Sequence, residues 1–206
     1  MILHDFPLSS ACFRVRIVLG LKRLTYEKRN YALRAGEQRG PDYLAVNPAG
    51  LVPALEAGGI VLGQSLAIID YLDAIHPEPR MIPADPIARA RAMEMALTIA
   101  CDIHPLNNLR VLQYLEHAMG QDKAPVDRWY QHWVEQGFST LEKLLPDAPF
   151  AGGDAPNVVD ACLVPQIYNA RRFKVDLTPF PRVTAMADRA AALPAFISAA
   201  PPPVPT

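Results

Sequence analysis

Proline placement sets the outline of what this chain can fold into. Pro7, Pro41, Pro48, Pro53, Pro77, Pro79, Pro83 and Pro86 recur at short intervals. Each fixes φ and withholds a backbone donor, so it ends a helix or strand rather than continuing it. The elements before Pro86 must therefore be short. Beyond Pro86 the interruptions thin out and longer helices become possible. With 21 prolines in 206 residues the share is roughly twice the average, and the last cluster, in the tail 201–206, excludes helix there. That tail is expected to be extended or frayed, with a Pro-rich recognition peptide as the alternative.

In the first stretch the apolar spacing predicts alternating strands and helices. Residues 1–4 read as a strand ending at Pro7, and Ser9-Ser10 as a helix entry. Val15, Val18 and Leu19 fall at helical spacing over residues 12–22, with Arg14, Arg16 and Lys22 on other faces. The two arginines are expected to make structural ion pairs. Residues 25–31 form a polar strand candidate, 42–46 a short helix, and 47–50 a turn. Residues 51–56 and 59–62 read as a hairpin about Ala57-Gly58, and Gln64-Ser65 opens a helix over 66–75. The order β-α-β-α-β-β-α makes residues 1–79 a small open-sheet domain.

Residues 80–86 are the proline-bearing linker. Alanine, methionine and leucine then recur at helical spacing over 87–119, predicting one helix bent at Pro105. Residues 126–145 read as a second amphipathic helix carrying Trp129 and Trp133 on one side. Asn157 followed by Asp160 has the spacing of a capping box and precedes the apolar run 161–165. Residues 181–192 and 194–199 complete an all-helical domain over 87–200.

The charge balance, 20 basic against 21 acidic side chains for a net of −1, argues against a nucleic-acid or anionic-membrane partner, either of which calls for a basic face. Three cysteines, an odd number, fit no disulfide framework and point to a reducing, cytoplasmic compartment. The opening residues lack the basic stretch and long apolar core of a signal peptide. No uncharged apolar run approaches the ~20 residues that span a bilayer. Metal-binding patterns such as H-E-x-x-H or C-x-x-C are absent, so no metal is expected.

Several segments in register carry a family likeness. Ser9-Ser10-Ala11-Cys12-Phe13-Arg14-Val15-Arg16-Ile17 resembles the S-S-C-x-[WH]-R-V-R-I signature of zeta-class glutathione transferases. Asn47-Pro48 with Val52-Pro53-Ala54-Leu55, and Gln64-Ser65-Leu66-Ala67-Ile68-Ile69, resemble that family's two glutathione-binding segments. Pro165-Gln166 with Arg172-Phe173-Lys174-Val175-Asp176-Leu177-Thr178-Pro179 is similar to its C-terminal signature, and residues 101–110 also fit. The resemblance runs from residue 1 to about 200. It implies a thioredoxin-like N-terminal domain, a helical C-terminal domain, a homodimer, and glutathione bound in the cleft between domains. The activity implied is cis–trans isomerisation of a small unsaturated diketo acid, maleylpyruvate or maleylacetoacetate. A transferase or dehalogenase acting on small α-halo acids, and a non-catalytic glutathione-transferase-like binding protein, are the alternatives.

The residue chemistry agrees with that implication. Two hydroxyls at a helix entry sit beside unpaired N–H groups and the positive end of the helix dipole, where a thiol loses its proton more readily. The resemblance makes Ser9 the position nearest the glutathione sulfur and Ser10 the next; helix capping is the plainer reading of the same pair. It assigns Val52 and Pro53, the latter as a cis-proline turn, to the cysteinyl part of the tripeptide. Gln64 and Ser65 would hold the γ-glutamyl carboxylate at a helix N-terminus, and His104 and Asn108 would lie near the rest. Arg110 and Arg172 are the expected clamps for substrate carboxylates, because the planar guanidinium matches a carboxylate with two charge-assisted bonds. Arg171 competes with Arg172 for that part. Ala11 stands where many members carry Cys, Leu8 where many carry Arg, and Cys12 is read as packing.

Overall fold

The short elements expected before Pro86 are present and build one sheet. In the computed structural model, which describes residues 1–202, they are β1 (Ile2–Asp5), α1 (Ser10–Leu21), β2 (Glu27–Asn30), α2 (Pro41–Val46), β3 (Ala54–Ala57), β4 (Ile60–Gly63) and α3 (Ser65–Ile75). Two 3-10 turns, Leu33–Ala35 and Glu37–Arg39, occupy what the sequence leaves as loop. The strand order is β2-β1-β3-β4, with β2 parallel to β1 and the other pairs antiparallel. This is the thioredoxin-like arrangement. β2 is exposed along its length, and its polar Glu-Lys-Arg-Asn sequence suits an edge strand. Leu3 faces Leu55 across the β1–β3 ladder, and Val15, Val18, Leu19, Ile68, Ile69 and Leu72 from α1 and α3 complete a fully buried core.

Buried polar side chains lock the pieces together. His4 is fully buried, with Nδ1 2.7 Å from the Tyr31 hydroxyl and Nε2 2.7 Å from Glu56, so β1 is tied to both flanks of the sheet. Arg16 pairs with Asp5 at 2.5 Å and donates to the carbonyls of Pro7 and Ala199. It is the structural ion pair expected of it, and it fastens the C-terminal helix Pro194–Ala199 to this unit. Lys22 donates to Asp73 at 2.8 Å and to the carbonyls of His76 and Pro79, while Asp73 accepts from the amides of Met81 and Ile82. The chain is thus pinned as far as Ile82. Its first unit comprises Met1–Ile82 with residues 192–202. The domain limits expected from sequence, 1–79 and 87–200, differ here: the last helix belongs with α1, because its apolar residues Phe196 and Ala199 are buried against it.

The second unit, Pro83–Ala191, is helical: α4 (Pro86–Leu97), α5 (Leu109–Gln113), α6 (Lys123–Leu144), α7 (Val158–Arg172) and α8 (Pro181–Ala191), the terminal helix of the first unit being α9. The single bent helix expected over 87–119 is not formed. α4 runs into a π-helical segment, Thr98–Ile103, and stops; residues 104–108 form turns, and Asn108 caps a new helix. Pro105 withholds its N–H and its ring crowds the preceding turn, so the stretch breaks here instead of bending. A second π-helical segment, Tyr114–Ala118, follows α5. α6 approaches the first π segment so closely that a Cβ at Gly137 would lie 2.2 Å from Ile103 Cδ1. Trp129 and Trp133 share one side of α6, edge to face at 5.7 Å. The capping box at α7 is formed: Asn157 accepts from the Val159 amide, and Asp160 accepts from the amides of Asn157 and Ala151. No described helix is long and apolar enough to cross a membrane. Residues 203–206 of the Pro-rich tail lie outside the described residues, and Pro201 is buried.

Candidate active site

Strand register gathers three of the sequence-predicted segments at one end of the sheet. The β1–β3 ladder ends with His4 opposite Ala54, and Ala54 in turn faces Gly63 on β4. The chain therefore leaves β1 toward Ser9, enters β3 from Val52-Pro53, and leaves β4 into Gln64-Ser65, all at the same edge.

Ser9 caps α1. Its hydroxyl oxygen accepts from the Cys12 amide at 3.2 Å, and the hydroxyl lies within hydrogen-bonding reach of the Cys12 thiol. Ser9 is half-buried and Ser10, the first helical residue, is buried. Cys12 is fully buried; burial, with the Asp5 charge behind it, pushes its thiol well above the ordinary range. It is packing, as its sequence context suggests.

The Val52–Pro53 peptide bond is cis. Its approach is held by two side chains on one acceptor: the carbonyl of Leu51 takes a hydrogen bond from the Tyr43 hydroxyl at 2.6 Å and from Asn47 Nδ2 at 2.7 Å. Val52 lies half-buried, just outside the ladder. Gln64 holds φ +63°, ψ +115° at the N-cap of α3, a conformation that side-chain-bearing residues rarely adopt and that gathers at ligand sites. Gln64 is exposed and its side chain makes no capping bond. Ser65 is buried, and its hydroxyl oxygen accepts from Arg14 Nη1 at 3.2 Å. Arg14, expected to serve a structural ion pair, reaches the start of α3 with this bond. With its oxygen occupied by a cationic donor, the Ser65 hydroxyl is left to act as a donor itself, beside the open N–H groups of α3.

Sequence reasoning missed Arg14, Tyr43 and Asn47 as parts of this arrangement. Asn47 lies within a segment that carries the family likeness, and Tyr43 is the one aromatic residue of α2, but neither pattern shows that both converge on Leu51.

In the second unit the expected residues stand on separate elements. His104 ends the π segment, half-buried, with its amide bonded to the Ile99 carbonyl. Asn108 accepts from the Arg110 amide and so acts as the cap of α5. Arg110 does not share a helix with His104, the break at Pro105 lying between them; it is exposed in the first turn of α5. Arg172 lies in the last turn of α7, half-buried, 3.4 Å from Asn169 Oδ1. Neither Arg110 nor Arg172 is paired with a carboxylate among the described residues. Arg171 is: both oxygens of Asp188 accept from it, at 2.7 and 3.0 Å.

A four-stranded thioredoxin-like unit with a helical unit is the architecture of the glutathione transferases. Residues 3–80 match the family described as "Glutathione S-transferase, N-terminal domain". Over 205 residues the chain is 45% identical to a probable maleylacetoacetate isomerase of Vibrio cholerae, covering 98% of this chain and 95% of that one. It superposes with a TM-score of 0.95 and 42% identity on a holo structure of maleylpyruvate isomerase, described as a bacterial zeta-class glutathione transferase, covering 98% and 97% of the two chains. A maleylacetoacetate isomerase of Methylobacterium extorquens, solved with bound malonate and glutathione, gives a TM-score of 0.95 at 37% identity over the whole of both chains. The chain belongs to the zeta-class glutathione transferases, the family of the maleylacetoacetate and maleylpyruvate isomerases.

Proposed function

We propose that this chain is a glutathione-dependent cis–trans isomerase of a small unsaturated diketo acid, maleylpyruvate or maleylacetoacetate, acting as a cytoplasmic homodimer. The observation that carries the reading is likeness at 42–45% identity over almost the full length to relatives named for that reaction. The donor set of the first unit fits the tripeptide. One peptide edge at Val52 lies outside the ladder, one helix N-terminus with the Ser65 hydroxyl suits a carboxylate, and a second N-terminus carries the Ser9 hydroxyl. Free thiols at Cys12, Cys101 and Cys162 support a reducing compartment, and family membership supports the homodimer.

Glutathione, when bound, would supply a soft sulfur nucleophile for reversible addition to the cis double bond. The Ser9 hydroxyl would donate to that sulfur, and the N-terminus of α1 would add its field, so both would lower the proton affinity of the thiol. Val52 offers its N–H and C=O as one more strand rung, with Pro53 setting the turn. Gln64 and Ser65 would hold the γ-glutamyl carboxylate, and the family resemblance assigns His104 and Asn108 to the remainder of the tripeptide. Arg110 and Arg172 bind the carboxylates of the substrate and stabilise the negative charge that develops on its oxygens as the double bond is attacked. Ala11 supplies no thiol at the family's Cys position, which the chemistry does not require, since the attacking sulfur belongs to the cofactor.

Calorimetric titration with glutathione followed by an absorbance assay on maleylpyruvate tests the reading. Millimolar or tighter binding with glutathione-dependent turnover is expected. No heat at millimolar glutathione removes the cofactor and the reaction together, while binding with turnover of α-halo acids alone assigns the site to dehalogenation. Light scattering at the mass of two chains checks the dimer.

A further inference from the structure

Beside Arg172 stands an aromatic pair that the reaction does not use. The Phe173 ring lies flat on Tyr130 of α6, with centroids 3.7 Å apart and planes within 8°. Arg172 places its guanidinium carbon over the other participant, 5.2 Å from the Phe173 centroid. α6 grips this residue twice, because Gln131 Nε2 also donates to the Phe173 carbonyl at 3.3 Å. Tyr130 is itself fixed: it is buried, and its carbonyl accepts from Asn107 Nδ2 at 3.1 Å. The order is Asn107, Tyr130, Phe173, Arg172, each held by the one before.

We propose that Tyr130 and Phe173 form a platform that positions Arg172 for carboxylate recognition, so that selectivity for acidic substrates depends on two rings that touch no substrate. The inference rests on the reading of Arg172 as a substrate clamp and names what makes that clamp work. An arginine in the last turn of a helix has several rotatable bonds, and holding it costs rotamer entropy each time a ligand binds. A ring beneath the guanidinium attracts its face and leaves the in-plane N–H groups for a carboxylate. Asn169 Oδ1 takes one of those groups at 3.4 Å, a long contact that a carboxylate displaces easily. Arg171, next in the chain, lacks such a ring and is occupied by Asp188. The pair of adjacent arginines is thereby divided, one held ready and one spent.

Steady-state kinetics on maleylpyruvate and on the uncharged electrophile chlorodinitrobenzene, with calorimetric titration of maleate into the glutathione-saturated enzyme, test this. Phe173→Leu is expected to raise KM for maleylpyruvate and the maleate Kd by about tenfold, with kcat within about twofold and KM for chlorodinitrobenzene little moved. Tyr130→Leu, at a buried ring stacked on Phe173, gives the same split, and Phe173→Tyr keeps the acid selectivity. Gln131→Ala, which releases only the Phe173 carbonyl and threatens the fold least, gives the split at about threefold. Equal loss for both substrates in Phe173→Leu, or an unmoved KM ratio in Gln131→Ala, overturns the platform. Wild-type enzyme that neither turns over maleylpyruvate nor binds maleate overturns the functional reading, and the platform falls with it.

Discussion

In the first unit the groups we assign to a ligand are mostly backbone: the N-termini of α1 and α3 and the peptide edge at Val52. Buried side chains there are spent inside the unit, Arg16 on Asp5, Lys22 on Asp73, and the His4 ring on Glu56 and Tyr31. In the second unit the offered groups are the tips of long side chains, Arg110 exposed and Arg172 half-buried, and the ion pair between Arg171 and Asp188 lies at the surface. A backbone site cannot be retuned by one substitution, which suits a cofactor of fixed shape. A side-chain site is easily altered, which suits the part of an enzyme that distinguishes substrates. Buried charge and surface charge should therefore answer very differently to mutation.

The sharpest break is at Lys22. Lys22→Met leaves Asp73 buried beside an apolar chain and strips the His76 and Pro79 carbonyls of their donor. Removing one partner of such a pair costs about 3–5 kcal/mol. Urea unfolding should show the loss in the midpoint; a change under 1 kcal/mol would mean that the amides of Met81 and Ile82 alone satisfy Asp73.

The second unit has one buried charge of comparable weight, and it tests the comparison from the other side. Burial pushes the Asp160 carboxyl up from 3.8 to about 6, against the pull of the amides of Asn157 and Ala151. The folded state therefore binds more protons than the unfolded chain between those two values. The stability that Asp160 contributes is full below the unfolded pKa and declines as pH rises to about 6, by up to about 3 kcal/mol. Asp160→Asn keeps one acceptor and cannot titrate, so the difference between its urea midpoint and that of the wild type should change with this sign across the window. A wild-type advantage that grows with pH would reverse the assignment.

The two regions were also unequally legible. Proline spacing and apolar periodicity give every strand and helix of the first unit, since short elements between breakers leave few options. The same logic failed over residues 87–119, where periodicity continued through Pro105 while the backbone gave way to a π-helical segment at Thr98 and began a new helix at Leu109. The local geometry was legible where a motif is short-range: the Ser9 cap, the cis Val52–Pro53 turn and the helix entry at Gln64-Ser65. Arg14 at Ser65 and Tyr43 with Asn47 at Leu51 depend on contacts between elements, which spacing within one element does not encode.

Ser9→Ala probes how far the backbone site depends on one side chain. Loss of the cap costs about 1 kcal/mol of stability. Loss of the hydroxyl beside the sulfur should lower kcat about 10²-fold, leave glutathione affinity nearly intact, and move the pH–rate profile toward alkaline values as the thiol loses its donor. Unchanged kinetics would remove Ser9 from the chemistry and leave it a helix cap.

The smallest effect divides neighbours. Arg172→Met should raise KM for maleylpyruvate about tenfold, the value of a charge-assisted bond to carboxylate, while an uncharged electrophile is barely affected. Arg171→Met removes an exposed pair with Asp188 and should change stability by less than about 1 kcal/mol, with KM unmoved. The two residues are adjacent and carry the same charge, so composition and general surface charge cannot account for a difference between them. Only the partner each has found in the fold can: a carboxylate for Arg171, an aromatic ring and a distant amide oxygen for Arg172. Equal KM effects in the two variants would mean that the second unit recognises acids through diffuse positive potential, and raising the salt concentration would then weaken both alike.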